Sequence, residues 1–176
     1  DPETDEALLA RLNARRQTPA TSGNAYHYRQ WALEVNGVGD AKVLPLWEGP
    51  GTVKVLLVGP DKKPVDESVV SACALHIAEE APIGAIVTVE SAEGLTINVT
   101  AAVTIDSTTT KSKVQEQLVS KLDTYLKSLA FKGYTLLYNR VAFFLLDIDG
   151  VVDFASLKIN GGTGNITIAE SQVPVL

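Results

Sequence analysis

Leu33-Glu34-Val35-Asn36-Gly37-Val38-Gly39-Asp40 and Leu146-Asp147-Ile148-Asp149-Gly150-Val151-Val152-Asp153 stand 113 positions apart and read alike. Continued without a gap, the same offset pairs Leu44 with Leu157, Leu46 with Ile159, Gly49 with Gly162, Gly51 with Gly164, Val53 with Ile166 and Val55 with Ile168. Both copies read as a helix end, a glycine turn, an aspartate, a strand, a second glycine turn and another strand. Such likeness is what duplication of a small α/β domain leaves behind, although a stretch this short can also converge on the same turn chemistry. The pattern predicts an α+β fold of two small domains, each packing two helices on a small, largely antiparallel sheet and related by internal duplication. The expected division is an N-terminal helix and linker over residues 1–22, a first α+β domain over 23–92 and a second over 93–176.

Working outward from the repeat, Tyr28, Trp31, Ala32 and Val35 recur at spacings of three and four, which predicts a helix over 24–35 stopped by Asn36-Gly37. Two extended runs, 41–47 and 52–58, flank Glu48-Gly49-Pro50-Gly51 and predict a hairpin. Pro45 has no N–H to give a ladder, so the first run is expected at an edge or with that position facing outward. Asp66 is a candidate N-cap for a helix over 67–80, with Val69, Val70, Cys73 and Ile77 as its buried stripe, ended by Pro82 and Gly84. Residues 86–90 read as a strand. Residues 95–105 carry the clearest period of two, with Leu95, Ile97, Val99, Ala101, Val103 and Ile105 on one face and Thr96, Asn98, Thr100 and Thr104 on the other, as a half-buried strand requires. Helices are expected over 111–129 and 136–147, and extended runs near 153–159 and 165–169. At the other end, Leu8, Leu9 and Leu12 share one face of a predicted helix over 5–16, followed by a small-residue linker over 17–23.

The composition excludes several classes of function. Fifteen Lys and Arg against 21 Asp and Glu give a net charge of −6, so there is no electrostatic footprint for nucleic acid or an anionic membrane. Cys73 is the single cysteine, which rules out an intramolecular disulfide and any multi-cysteine zinc site. The sequence has no apolar run long enough to span a bilayer and no basic-then-apolar opening. It also lacks methionine, so Asp1 is not expected to be the initiating residue and the chain is expected to be a piece of a longer protein.

The sequence offers few residues in patterns that carry chemistry. His27 and His76 have no second ligand at a metal-binding spacing. Cys73 lies on an apolar stripe, where cysteine packs as a small hydrophobe and lacks the basic surroundings of a nucleophile. Asp147-Ile148-Asp149-Gly150-Val151-Val152-Asp153 faintly resembles a calcium loop but lacks the remaining acidic positions and the distal glutamate. Gly49-Pro50-Gly51-Thr52 and Gly161-Gly162-Thr163-Gly164-Asn165 lack the Lys-Ser/Thr ending of a phosphate loop and read as turns. Asn98-Val99-Thr100 and Asn165-Ile166-Thr167 match the glycosylation pattern but fall in predicted strands. No catalytic, cofactor-binding or metal residues are therefore assigned, no cofactor is expected, and the chain is expected not to be an enzyme.

Residues 23–43, Gly-Asn-Ala-Tyr-His-Tyr-Arg-Gln-Trp-Ala-Leu-Glu-Val-Asn-Gly-Val-Gly-Asp-Ala-Lys-Val, resemble the baseplate J-like family of contractile phage tails and related prophage particles. The resemblance continues through Pro45–Val55, Ala81-Pro82-Ile83-Gly84-Ala85 and Val87-Thr88-Val89, and covers about residues 13–105. His27 and Ala81 depart from the family pattern, which often has Asp and Arg there. The resemblance implies a wedge component of the baseplate, acting in wedge and ring assembly. Its expected partners are other wedge proteins and copies of itself. Its expected location is the virion or prophage tail baseplate, and the host cytoplasm during assembly. The alternatives are a carbohydrate or receptor-binding tail module, for which aromatic residues are few, and a tail-associated hydrolase.

Overall fold

A computed structural model describes residues 4–6, 8–9, 12–13, 23–133 and 135–176. Within the predicted N-terminal helix, residues 5, 6, 8, 9, 12 and 13 are helical, and the Leu8 N–H donates to the Thr4 carbonyl at 2.9 Å. The predicted linker lies outside the described residues up to Gly23. The chain divides into two compact units, Asp1–Pro60 with Val65–Ser91, and Asp61–Pro64 with Ala92–Leu176.

The first unit runs α1 (Ala25–Glu34), β1 (Asp40–Pro45), β2 (Thr52–Val58), α2 (Glu67–Glu80) and β3 (Ile86–Ser91), the expected helix-β-β-helix-β order. The Asn24 side chain caps α1 by accepting the His27 N–H at 2.9 Å, filling one of the donors a helix start leaves open. At α2, Asp66 occupies the N-cap, but its side chain makes no capping bond there. The sheet order is β1-β2-β3, so Pro45 does sit on an edge strand, opposite Val53. β1 and β2 are antiparallel, whereas β2 and β3 are parallel. The sheet is therefore mixed, not largely antiparallel, because α2 carries the chain back over the sheet before β3 begins. Tyr28, Trp31 and Ala32 of α1 meet Val55 and Leu57 of β2 and Val70, Cys73 and Ile77 of α2 in one core.

The second unit contains β4 (Glu93–Thr96), β5 (Val99–Ile105), α3 (Lys111–Leu129), β6 (Thr135–Leu136), α4 (Tyr138–Leu146), β7 (Val151–Ile159), β8 (Ile166–Thr167) and β9 (Gln172–Val175). The alternating run 95–105 is not one strand. It breaks at Ile97-Asn98, so β4 pairs parallel with β9 while β5 pairs antiparallel with β7. Asn160 rivets this switch: its side-chain carbonyl accepts the Asn98 N–H at 2.7 Å, its amide donates to the Thr96 carbonyl at 2.9 Å, and its own N–H donates to the Asn98 carbonyl at 2.8 Å. Beyond the switch the expected alternation is present, with Val99, Ala101, Val103 and Ile105 the more covered set. Leu122 and Leu126 of α3, Val141 and Leu145 of α4, and Leu157 and Ile159 of β7 form the second core.

The repeat holds in backbone detail over its first half. The Val38 N–H donates to the Val35 carbonyl at 3.2 Å, and the matching Val151 N–H donates to the Ile148 carbonyl at 3.1 Å. Gly37 and Gly150 take φ of +96° and +83° inside these turns, a conformation that disfavours any residue with a Cβ. Asp40 then accepts the Ala41 N–H at 2.9 Å, and Asp153 accepts the Phe154 N–H at 2.8 Å. The second half departs. β1 and β2 form the predicted hairpin, but β7 pairs with β5 and β8 pairs with β6, so the hairpin is not repeated. Strand partners depend on what else the chain brings alongside, which a local match does not encode.

Candidate interaction surface

The residues considered for chemistry end up apart or in structural roles. His27 stacks on Trp31 with ring centroids 4.0 Å apart, and its Nδ1 accepts the Gly23 N–H at 3.3 Å. His76 Nε2 lies 3.0 Å from the Glu34 carboxylate, which this hydrogen bond and one from Gln30 hold below the usual glutamate range. Cys73 is fully buried, and burial pushes its thiol up to about 11, away from the thiolate a nucleophile needs. Asp147 ends α4 and pairs with Lys121, while Asp153 closes on its own following N–H. Among the described residues no group of three or more His, Cys, Asp or Glu could hold a metal ion, and no helix is long and apolar enough to cross a membrane.

Both glycosylation-like asparagines are engaged in the fold. Asn98 sits between β4 and β5, not within a strand, and Asn165 precedes β8 and accepts the Tyr138 N–H at the start of α4 at 2.9 Å. The glycine-rich segments also act as turns. In Glu48–Thr52 the Thr52 hydroxyl donates to the Gly49 carbonyl at 2.7 Å, and the Ile159 N–H donates to the Gly162 carbonyl at 2.9 Å.

What the molecule does offer is apolar surface at defined places. At one end of the first sheet, Thr52 opposes Ile86 and the Ile86 N–H donates to the Gly51 carbonyl at 2.9 Å, bringing the hairpin turn beside the Pro82–Ala85 turn. Leu46 and Ile86 are each 65% exposed there and Ile83 is fully exposed. Leu46 holds a φ of +60°, unusual for a branched side chain. Next to it Trp47 is half-buried under the Lys54 ammonium, 3.9 Å from the ring centroid, and Lys54 also pairs with Glu90 at 2.9 Å. In the second unit a groove of about 490 Å³ runs between α3 and α4, lined by Tyr125, Phe143, Phe144 and Arg140 among others. Composition alone hid both features. The adjacent Phe143 and Phe144 were the available signal for the groove, since neighbouring helix positions point in different directions and both cannot enter one core.

The described residues form a pair of small α+β units that present apolar turns and a groove. Comparison with known families agrees with that class. The description "Baseplate J-like central domain" matches residues 20–91, and "Baseplate J-like protein C-terminal domain" matches residues 97–176. The chain belongs to the baseplate J-like family. In Bacillus subtilis (strain 168) it is similar to "Uncharacterized protein YqbT", 34% identical, and to "Phage-like element PBSX protein XkdT", 30% identical, each over 99% of this chain and 52% of the relative. The chain thus spans about half the length of these curated relatives. It is also 47% identical over 58 residues, 33% of this chain and 16% of the relative, to "Baseplate protein gp47" of Escherichia phage Mu. The fold is like that of a chain in the cryo-EM structure of the anti-feeding prophage baseplate, with a TM-score of 0.68 and 17% identity over 98% of this chain and 41% of that one.

Proposed function

We propose that the chain is part of a structural component of a contractile phage or prophage tail baseplate, acting in wedge and ring assembly through protein–protein contacts and not through catalysis. The observation that carries this reading is the match of both units to the two baseplate J-like domains. The surface is in keeping with it, because exposed large apolar side chains clustered at one sheet end are the usual mark of a protein contact. Its partners are other wedge proteins and further copies of itself, met in the host cytoplasm during assembly and retained in the finished particle. A receptor- or carbohydrate-binding module would present a platform of aromatic rings. Among the described residues only Tyr26 and Phe143 are strongly exposed aromatics, and they belong to different units.

Deletion of the encoding gene in the producing prophage, inspected by electron microscopy, tests the reading. Tails lacking baseplates are expected. Particles with intact baseplates but no infectivity would overturn it and point to receptor binding or catalysis.

A further inference from the structure

The outer face of α4 is complementary to itself. Val141 and Leu145 bury the opposite side of the helix in the second core. Arg140 and Phe143 are exposed, and Asp147 at the C-cap keeps 52% of its side chain open. Spacings of three and four residues put these three side chains along one stripe. Phe143 is 53% exposed and Leu146 beside it 51%, so the stripe is apolar between its two charges. The Arg140 guanidinium lies over both neighbouring rings, 5.2 Å from the Phe144 centroid and 5.8 Å from that of Phe143. Among the described residues no carboxylate pairs with it, the nearby Asp147 being taken by Lys121. That bond uses Asp147 Oδ2, and a carboxylate has acceptor sites left for a guanidinium as well.

Within one chain Arg140 and Asp147 stand two helical turns apart, about 10 Å along the axis, with Phe143 between them. The midpoint of the two charges falls between Phe143 and Phe144. A second α4 laid antiparallel about a two-fold axis at that midpoint sets Arg140 of each copy level with Asp147 of the other. The two Phe143 rings then meet between the ion pairs. We propose that this face of α4 is a contact between two copies of the chain, closed by two symmetric Arg140–Asp147 pairs around a Phe143 centre. Charge selects both the partner and the direction. A second copy brings, at the required spacing, the carboxylate that Arg140 lacks and a further cation for Asp147, whereas a parallel arrangement would set like charges against each other. Such an isologous contact closes at two copies. The inference rests on the assembly reading for the premise that copies meet, and it names the surface, symmetry and register that reading leaves open.

The test is sedimentation equilibrium of the 176-residue chain, with circular dichroism confirming that each variant stays folded. A monomer–dimer equilibrium with a Kd on the order of 100 µM is expected, because two short helices bury less than a stable interface of about 1,200 to 2,000 Å². Arg140→Glu or Asp147→Lys alone sets like charges at both ends of the contact and should weaken it at least about tenfold. Mixing these two variants should restore a one-to-one complex, since the introduced glutamate then faces the introduced lysine and one native pair is complete. Phe143→Ser, at an exposed position, should weaken association with every charge in place. If Asp147→Lys disturbs the end of α4, where Lys121 is bound, the Arg140→Glu and Phe143→Ser results decide alone. A wild-type chain still monomeric at about 500 µM would overturn the proposal and leave the face to a different protein. Folded variants that associate as the wild type does, a mixture that forms no complex, or assembly beyond two copies would overturn it equally. Each of these results leaves the deletion phenotype free to stand, so failure of the α4 contact and failure of the assembly role are told apart.

Discussion

Gly39 has no room for a side chain, which makes Gly39→Ala the sharpest probe of the first unit. An added Cβ would lie 2.3 Å from both the Cα and the N of Pro60 and 2.4 Å from the carbonyl carbon of Gly59. Carbon contacts settle near 3.5 to 4.0 Å, and the obstructing atoms are backbone, so the two segments must part by more than about 1 Å. Overpacking of this kind costs about 1 to 3 kcal/mol. The parting also disrupts the bond from the Gly39 N–H to the Val58 carbonyl, 2.8 Å long, adding about 1 kcal/mol. It further loosens the adjoining Asp40 against Arg29, now 2.7 Å apart, for up to about 1 kcal/mol more. A total of about 2 to 5 kcal/mol, at about 4 to 8 °C per kcal/mol for a unit of this size, lowers Tm by upwards of about 8 °C. Trp31 and Trp47 are the two tryptophans of the sequence and both lie in the first unit, so their fluorescence follows its unfolding. Gly49→Ala is the comparison, because nothing lies within 4 Å of its added Cβ and only its φ of +111° resists the change, at about 1 to 2 kcal/mol. If Gly39→Ala proves no more destabilising than Gly49→Ala, the close approach of residues 39 and 60 is not a real constraint.

In the second unit Leu122 is 2% exposed, and Leu122→Ala should cost about 2 to 5 kcal/mol in denaturant unfolding followed by circular dichroism; a loss below about 1 kcal/mol would remove it from the core. Cys73, held at about 11 by burial, should react with an aromatic disulfide reagent only as fast as the protein unfolds. Since its native pKa lies above the unfolded value of about 8.5, its contribution is intact below that pH and declines as pH rises from there toward 11. Cys73→Ala should flatten that alkaline decline, and an unchanged slope would assign it to other groups. Glu34 is shifted the opposite way, so its contribution is present above its unfolded pKa of about 4.3 and fades as pH falls through the lowered native value. His76→Ala should raise the Glu34 carboxyl titration seen by NMR, and no movement would dissolve the His76 contact in solution.

The sequence was most legible where local signals agreed. α2 occupies the predicted residues 67–80 because Asp66, an apolar stripe and Pro82 mark both ends and the face between them. β5 shows its alternation directly. The break at Ile97-Asn98 was invisible because both residues obey the period of two, and what ends the strand is Asn160, far along the chain. β9 was missed for a related reason. It contains Pro174, which argues against a strand, yet pairs with β4 at that position opposite Leu95. The repeat forecast the helix-end turns and their aspartates but not the strand partners, which follow from tertiary context. Family resemblance was carried by Tyr28, Trp31, the Gly37–Asp40 turn and the Pro82–Ala85 turn, all shaping the first unit. The groove between α3 and α4 lay beyond that stretch and took side-chain placement to see.

The rivet at Asn160 also gives the second unit a chemical clock. Asn160 precedes Gly161, whose lack of a side chain lowers the steric barrier to deamidation, in which the next backbone nitrogen attacks the amide carbon, ammonia leaves, and water opens the resulting ring. The product carries a carboxylate where the amide now donates to Thr96 at 2.9 Å. A donor becomes an acceptor facing another acceptor, so hydrolysis of this one amide would turn the clasp between β4 and β5 into a repulsion.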